Sequence, residues 1–143
     1  MYKIVKFDLS DKELAGIAFE IRNKVFVIEQ NVDPKLEYDE FEEIAIHYLA
    51  YDENTPVATA RWRHTDCGIK LERFATLKEY RNKGVGSAIL KEVLKDVLSH
   101  PLTIYLHAQL PAVQFYEMHG FVKEGGIFYE ADMAHYKMVY KKK

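Results

Sequence analysis

A glycine-containing loop between a strand-like segment and an amphipathic helix is the feature that most limits how this chain can fold. Residues 69–76 are rich in β-favouring side chains, the loop follows at 81–87, and apolar residues then recur at helical spacing over 85–98. A second β-rich segment, 102–107, comes after the helix. Strands joined by a helical crossover run parallel, and such strands are usually covered on both faces. The order of segments therefore predicts a buried parallel pair of strands.

Other segments predict further strands and helices around this unit. Apolar residues at helical spacing follow Ser10 and Asp11, which offer N-cap chemistry, and Glu13 completes a capping box with Ser10. Pro111 can begin a short helix. β-rich runs separated by turns predict strands at residues 2–8, 46–52, 57–63, 121–123 and 136–140. Because the sequence contains no repeat or linker, we expect one domain over residues 1–143.

Composition argues against several classes of protein. A formal net charge of −2 over 143 residues offers no basic surface for nucleic acid, and no apolar run is long enough to span a membrane. The single cysteine, Cys67, cannot form an intramolecular disulfide, and the N-terminus has no signal-peptide apolar block. No spacing of His, Cys and carboxylate residues is typical of a metal site. We therefore expect a cytoplasmic protein that uses no metal and binds neither nucleic acid nor membrane.

The loop at residues 81–87 is suited to binding an anion. The first amides of a helix lack intrahelical acceptors and lie at the positive end of the helix dipole. Gly84 and Gly86 let a ligand approach the main chain closely, because they carry no Cβ. Several converging N–H groups would contribute more than the exposed charges of Lys83 or Arg81. The loop could hold a diphosphate through its backbone, or it could be only a tight strand-to-helix turn.

The spacing Arg81-x-x-Gly84-x-Gly86 resembles the acetyl-coenzyme A signature of the GNAT acetyltransferase superfamily. Residues 71–76 are similar to the family strand that lines the pantetheine arm, and Gln109-x-x-Ala112-x-x-x-Tyr116 is similar to the second coenzyme motif, although many members carry Asn at its first position. The positions that the resemblance assigns to acetyl-coenzyme A (acetyl-CoA) are Phe74, Ala75, Thr76, Arg81, Asn82, Lys83, Gly84, Val85, Gly86, Ser87, Gln109, Ala112 and Phe115.

A second string, at residues 21–30, reads Ile-Arg-Asn-Lys-Val-Phe-Val-Ile-Glu-Gln. It resembles the Arg-x-x-Val-Phe-Val-x-Glu-Gln string of a subgroup of small bacterial GNAT proteins, and a similar string occurs in acyl-homoserine-lactone synthases. The resemblance implies an acceptor pocket walled by Arg22, Phe26, Glu29 and Gln30. Core packing alone would also account for Phe26 and its apolar neighbours.

The resemblance implies an α+β fold and an acetyl transfer. In the family, a twisted, mostly antiparallel sheet of six or seven strands is flanked by about four helices, and a bulge splays the central parallel strands. The implied enzyme moves the acetyl group of acetyl-CoA to a primary amine of a small molecule or protein by direct attack, and a homodimer is expected because family domains often pair. Two alternatives stay open: an acyl-CoA-binding module without turnover, and another acyl transfer like that of acyl-homoserine-lactone synthases.

Three residues are candidates for proton transfer in such a reaction. The family's matching tyrosine lies near the coenzyme sulfur, so the resemblance makes Tyr116 the general acid for the leaving thiolate. Glu72 is a candidate base because some members place a catalytic glutamate on this strand, although a salt bridge with a neighbouring arginine is an equal alternative. His107 is the alternative base, or else a hydrogen-bonded core residue.

The segment at residues 31–43 is rich in carboxylates. Residues 31–43 contain one proline and favour a loop, with room for a short helix, that forms a mobile flank of the site. Its charges could attract a cationic acceptor such as a polyamine, an aminoglycoside or a lysine-bearing peptide, or they could simply be solvated. The carboxylates, with one just upstream, are Glu29, Asp33, Glu37, Asp39, Glu40, Glu42 and Glu43.

Overall fold

A computed structural model describes residues 2–142 as one seven-stranded sheet with helices packed against it. The strands are β1 (Tyr2–Phe7), β2 (Ile46–Asp52), β3 (Thr55–Thr65), β4 (Gly68–Thr76), β5 (Ile104–Gln109), β6 (Phe121–Glu130) and β7 (Met133–Tyr140). The α-helices are α1 (Lys12–Arg22), α2 (Pro34–Glu37), α3 (Val85–Val97) and α4 (Val113–Glu117). A π-helix, Asn23–Glu29, continues α1.

The strand order across the sheet is β1-β2-β3-β4-β5-β7-β6. Every neighbouring pair is antiparallel except β4 and β5, which are joined through α3 and run parallel. The predicted α+β fold, with a mostly antiparallel sheet around a parallel pair, is confirmed.

Two apolar clusters cover the opposite faces of the sheet. On β2, Tyr48 and Ala50 belong to the cluster that contains the buried residues of α3, whereas Leu49 between them belongs to the cluster of α1. Successive strand residues point to opposite faces, so α3 and α1 lie on opposite sides of the sheet. We call these sides the α3 face and the α1 face.

The hairpin of β6 and β7 extends much further than the two short runs predicted from the sequence. The pairing shifts register between Glu124 and Phe128, where Gly125 adopts a φ of +80°. The hairpin then closes through Ala131 and Asp132, both with positive φ. A glycine-rich interruption and a turn that lacks the usual Asn-Gly signal hide this hairpin from pattern analysis.

Two local predictions at the start of the chain need correction. Asp11 caps α1, since its side chain accepts a hydrogen bond from the amide of Leu14 at 3.1 Å. Ser10 instead donates to Asp8, which leaves the predicted capping box wrong. No helix within residues 2–142 has the length and apolar character needed to cross a bilayer.

Candidate active site

A gap opens between the two parallel strands. β4 and β5 pair only at Ile69 with Ile104, Lys70 with Tyr105, and Leu71 with Leu106. Both strands continue beyond these pairs without bonding each other, β4 to Thr76 and β5 to Gln109. Main-chain groups on the two facing edges are therefore left open to a ligand between the strands.

A bulge in β4 causes this divergence. Arg73 has a φ of +59°, and the pairing of β3 with β4 shifts register between Thr59 and Arg61. Leu71 and Phe74 both pack against the core on the α3 face although they are three residues apart, which regular alternation would not allow. A bulge bends its strand and leaves an extra residue outside the ladder. It therefore turns the end of β4 away from β5.

The predicted anion loop lies at the end of this gap and leads into α3. Gly84 is the N-cap with a φ of +85°, no side chain caps the helix, and the first intrahelical bond runs from the Ala88 amide to the Gly84 carbonyl at 3.0 Å. The amides of the preceding residues thus have no intrahelical acceptor. The Tyr2 hydroxyl donates to the Lys83 carbonyl at 2.7 Å and holds the loop against β1.

Three predicted coenzyme segments converge at Gly86. A Cβ placed on this glycine would lie 3.6 Å from the ring of Phe115 and 4.0 Å from the hydroxyl of Thr76. The helix N-terminus, α4 and the end of β4 therefore meet around one small residue. The fold brings together the loop, the pantetheine strand and the second motif.

Several polar side chains of these motifs already have protein partners. The Arg81 guanidinium pairs with Glu29, and the Gln109 side chain donates to Gln30 at 3.0 Å. Ser87 lies 2.6 Å from Nε2 of His119, whose Nδ1 donates to a main-chain carbonyl. In the neutral ring Nε2 must then accept the hydroxyl proton. Backbone amides, rather than these side chains, remain available for an anion.

Tyr116 lies in the apolar cluster on the α3 face, beside the gap. Its ring meets Phe74 edge-on at 6.1 Å and also packs against Phe115 and Phe121. Burial raises the pKa of the phenol, with no hydrogen bond contributing, so the hydroxyl stays protonated at neutral pH. Tyr116 is 8% exposed, and no hydrogen bond holds its hydroxyl to another group within residues 2–142.

His107 lies one residue beyond the last pair of β5 with β4, on the opposite face from Leu106 and Ala108. Its Nδ1 is 3.0 Å from Oε2 of Glu130, and its ring meets Phe128 edge-on at 4.9 Å. The hydrogen bond from His107 lowers the pKa of Glu130. A carboxylate can only accept, so Nδ1 carries the proton and Nε2 of the neutral ring is free to take one.

Glu72 forms salt bridges, which was the alternative to its role as the catalytic base. It contacts Arg61, Arg63 and Lys70 at distances between 2.8 and 3.1 Å, and its side chain is 4% exposed. Burial alone would raise its pKa, but the hydrogen bond from Arg63 and the surrounding positive charges lower it to about 2. A carboxylate with so low a pKa is a weak proton acceptor near neutral pH.

The central part of the acidic segment is folded inward, so the alternative that its charges are simply solvated is wrong for Glu37 and Glu42, which are buried. Arg22, 1% exposed, binds Glu37 and Glu42, and Arg61, fully buried, binds Asp39 and Glu42. The partners of these two arginines and of Glu72 form one network beneath the α1 face, which we call the arginine network. It comprises Arg22, Glu37, Asp39, Glu42, Arg61, Arg63, Lys70, Glu72 and Arg73.

The fold therefore separates the four residues that were predicted to line the acceptor pocket. Arg22 is enclosed in the arginine network, and Phe26 is buried in the core of the α1 face. Glu29 and Gln30 make side-chain hydrogen bonds to residues of the coenzyme motifs, namely Arg81 and Gln109. Within residues 2–142 there is no group of His, Cys and carboxylate side chains that could hold a metal ion.

Glu130 and His119 are two candidate functional residues that the sequence patterns did not identify. Glu130 had no motif around it and lay in a segment without a predicted element, and only the register of the β6–β7 hairpin brings it to His107. His119 was visible as a histidine after α4, but its contact with Ser87 depends on how α4 packs beside α3.

Comparisons with known proteins agree with this geometry. The family model described as an acetyltransferase (GNAT) domain matches residues 8–142. The uncharacterized N-acetyltransferase YjcF of Bacillus subtilis is 40% identical over 124 residues, which cover 85% of this chain and 89% of that protein. The uncharacterized protein YyaT of the same organism is 40% identical over 128 residues, covering 85% and 84% of the two chains.

Solved structures show the same fold at lower identity. Escherichia coli ElaA superposes with a TM-score of 0.88 at 24% identity, covering 99% of this chain and 100% of that one. An acyl-CoA N-acyltransferase from Pseudomonas aeruginosa superposes with a TM-score of 0.84 at 23% identity, with the same coverage. The chain therefore belongs to the GNAT family of acetyltransferases, enzymes that move the acetyl group of acetyl-CoA to an amine.

Proposed function

We propose that the acceptor amine attacks acetyl-CoA within the gap between β4 and β5, entering from the α1 face. His107 and Tyr116 carry this proposal, because they lie beside the gap on opposite faces of the sheet. Acetyl transfer needs a base that takes a proton from the attacking amine and an acid that gives one to the leaving thiolate. A base on one face and an acid on the other meet that need.

His107 acts as the general base in this scheme. The amine nitrogen bonds to the acetyl carbon, the carbonyl electrons move to oxygen, and Nε2 of His107 takes the proton that the nitrogen loses. Glu130 is a positioning residue, since it accepts a hydrogen bond from the Nδ1–H group at 3.0 Å and so orients the ring and selects the tautomer whose Nε2 carries a lone pair. We do not assign the base to Glu72, because three cations surround it.

Tyr116 acts as the general acid. As the tetrahedral intermediate collapses, the carbon–sulfur bond breaks and the phenol donates to the thiolate, giving free coenzyme A and the acetylated amine. Burial keeps the phenol protonated, and its hydrogen bond also stabilises the charge that develops on sulfur. In this scheme the main-chain amide of Phe74, in the bulged part of β4 where the pairing with β3 is interrupted, holds the carbonyl oxygen.

Replacing Tyr116 with Phe tests whether the protein turns over or only binds. We expect kcat with a responsive amine to fall by about a hundredfold, because the acid is lost while the buried ring is kept. The affinity for coenzyme A in calorimetric titration should stay within about twofold of the wild type. Tyr51→Phe, on β2 and away from the gap, is the control. Wild-type protein that binds the coenzyme but releases no thiol with any amine would support the non-catalytic module instead.

Variants of His107 and Glu130 test the assignment of the general base. His107→Gln should lower kcat/KM by about a hundredfold, and Glu130→Gln by about tenfold, because an amide can hold the ring in the wrong tautomer. The acid limb of the pH profile of kcat/KM should move in Glu130→Gln, which a purely structural role would not cause. His64→Gln, on β3, serves as the control. Unchanged rates and profiles in both variants would remove His107 from the mechanism.

We place the reaction in the cytoplasm with a primary amine of a small molecule or protein as acceptor. The exposed free thiol of Cys67 is consistent with a reducing compartment. Of the acidic segment, Glu40 and Glu43 lie outside the arginine network and beside an apolar cavity lined by Phe19 and Tyr38. Their charge favours a cationic acceptor. We retain a homodimer as the proposed assembly, on the ground that GNAT domains often pair.

A further inference from the structure

The end of the π-helix makes a charged contact with the side of the gap formed by β4. The guanidinium of Arg81 binds both oxygens of Glu29, at 2.5 and 2.7 Å. Its Nε donates to the carbonyl of Thr76, the last residue of β4, at 3.0 Å. Arg81 therefore ties the π-helix to the end of the pantetheine strand with a planar set of bonds that fixes its orientation.

The next residue makes a polar contact with the other side of the gap. The side-chain amide of Gln109, the last residue of β5, donates to the side-chain carbonyl of Gln30 at 3.0 Å. Gln109 lies on the same face as His107 because the two residues are two positions apart along the strand. Adjacent residues Glu29 and Gln30 thus reach the ends of two strands that have no bond to each other there.

A widened helical turn places this dipeptide beside the ends of the two strands. The Gln30 amide donates to the Val25 carbonyl at 3.1 Å, five residues back, and the Val32 amide to the Phe26 carbonyl at 2.8 Å. Val25 and Phe26 are buried in the core on the α1 face, so the turn is anchored. π-helical turns occur frequently at functional sites.

We propose that Glu29 and Gln30 are positioning residues that brace the coenzyme gap, holding the ends of β4 and β5 at the separation that receives the pantetheine arm. The proposal rests on the proposed acetyl-CoA site. The brace fixes the ends of β4 and β5 before the coenzyme binds, so binding does not have to order these strand ends. It also assigns a structural task to the last two residues of the Arg-x-x-Val-Phe-Val-x-Glu-Gln string that differs from contact with the acceptor.

The direction in which coenzyme affinity changes when Glu29 is neutralised distinguishes a brace from simple electrostatics. Glu29 is an anion close to the loop that would hold an anionic diphosphate, so removing its charge should strengthen coenzyme binding if charge alone mattered. If Glu29 acts as a brace, its neutralisation releases Arg81 from a fixed orientation and loosens the end of β4. Binding should then weaken despite the gain in net positive charge.

The test is calorimetric titration of coenzyme A into Glu29→Gln, Gln30→Ala and wild-type protein. We expect Kd to rise by about fivefold in Glu29→Gln, the size expected from a partly exposed ion pair, and by a few-fold in Gln30→Ala. The KM of the amine acceptor should change less than twofold, and thermal midpoints should stay within about 2 °C. Glu20→Gln is the matched control, because it neutralises a carboxylate whose exposed pair with Lys24 joins α1 to the start of the π-helix and lies outside the coenzyme motifs.

Each outcome decides the question. Tighter or unchanged coenzyme binding in both variants overturns the brace, and a rise in acceptor KM with unchanged Kd would make Glu29 and Gln30 an acceptor wall instead. Wild-type protein that binds no coenzyme A would overturn the proposed function together with the brace. Combining Glu29→Gln with Arg81→Gln should cost little more than Arg81→Gln alone, because Arg81→Gln already breaks the contact that Glu29→Gln removes.

Discussion

Gly86→Glu should abolish coenzyme binding while leaving the protein folded. The new carboxylate would project from the first turn of α3 into the position of the diphosphate, beside Phe115 and Thr76. It would take the free amides for itself and repel the incoming anion. Each charge-assisted hydrogen bond contributes about 1.5–3 kcal/mol, so the loss of two or more corresponds to a weakening of about a hundredfold or greater.

The fold should tolerate this change because an acidic residue near a helix N-terminus is favourable. Calorimetric titration with coenzyme A measures the loss, and circular dichroism and the thermal midpoint report the fold. Gly86→Gln, of the same size without the charge, should bind more tightly than Gly86→Glu, and Lys83→Ala should weaken binding only modestly. A larger loss for Lys83→Ala than for Gly86→Glu would refute binding through the backbone.

Arg61→Met should lower the free energy of unfolding by about 3–5 kcal/mol and the thermal midpoint by about 10 °C. Arg61 is fully buried and contacts Asp39, Glu42 and Glu72 at distances from 2.8 to 3.0 Å. Methionine of similar length fills the space but leaves three carboxylates with one cation fewer. Partly unpaired buried charges, rather than lost packing, cause the destabilisation.

Denaturant unfolding at several pH values identifies the cause. The pKa of Glu72 is about 2 in the folded protein against an ordinary value near 4.5, so its pairing stabilises the fold above pH 4.5 and this contribution is lost as the pH falls toward 2. The difference between Arg61→Met and wild type should therefore shrink in acid. Lys24→Met, in an exposed pair, should change stability by less than about 0.5 kcal/mol. An equal penalty for Arg61→Met at all pH values would point to packing instead.

Local patterns predicted the parts of the site that lie close together in the sequence. The strand, glycine loop and helix around Gly84 are encoded in a continuous stretch, because the turn needs a positive φ and the helix needs an apolar stripe. The bulge at Arg73 left no signal of its own, and only the family resemblance implied that β4 would turn away from β5.

Contacts between distant segments could not be predicted in this way. Glu130 meets His107 through the register of a hairpin, and a slip of one residue would turn its side chain to the other face. The inward orientation of Glu37 and Asp39 depends on arginines from α1 and β3, which a loop-like composition does not reveal. Polar residues in a proline-containing segment look solvated until their partners are known.

The central claim is that main-chain amides hold acetyl-CoA with its acetyl carbon between the diverging strands. A crystal structure with bound acetyl-CoA tests this claim most directly. We predict diphosphate oxygens within hydrogen-bond distance of amides in residues 84–87. The thioester should lie in the gap beyond Leu71 and Leu106, with Tyr116 on one side and His107 on the other. A diphosphate bound away from the loop, or a thioester outside the gap, would contradict the account.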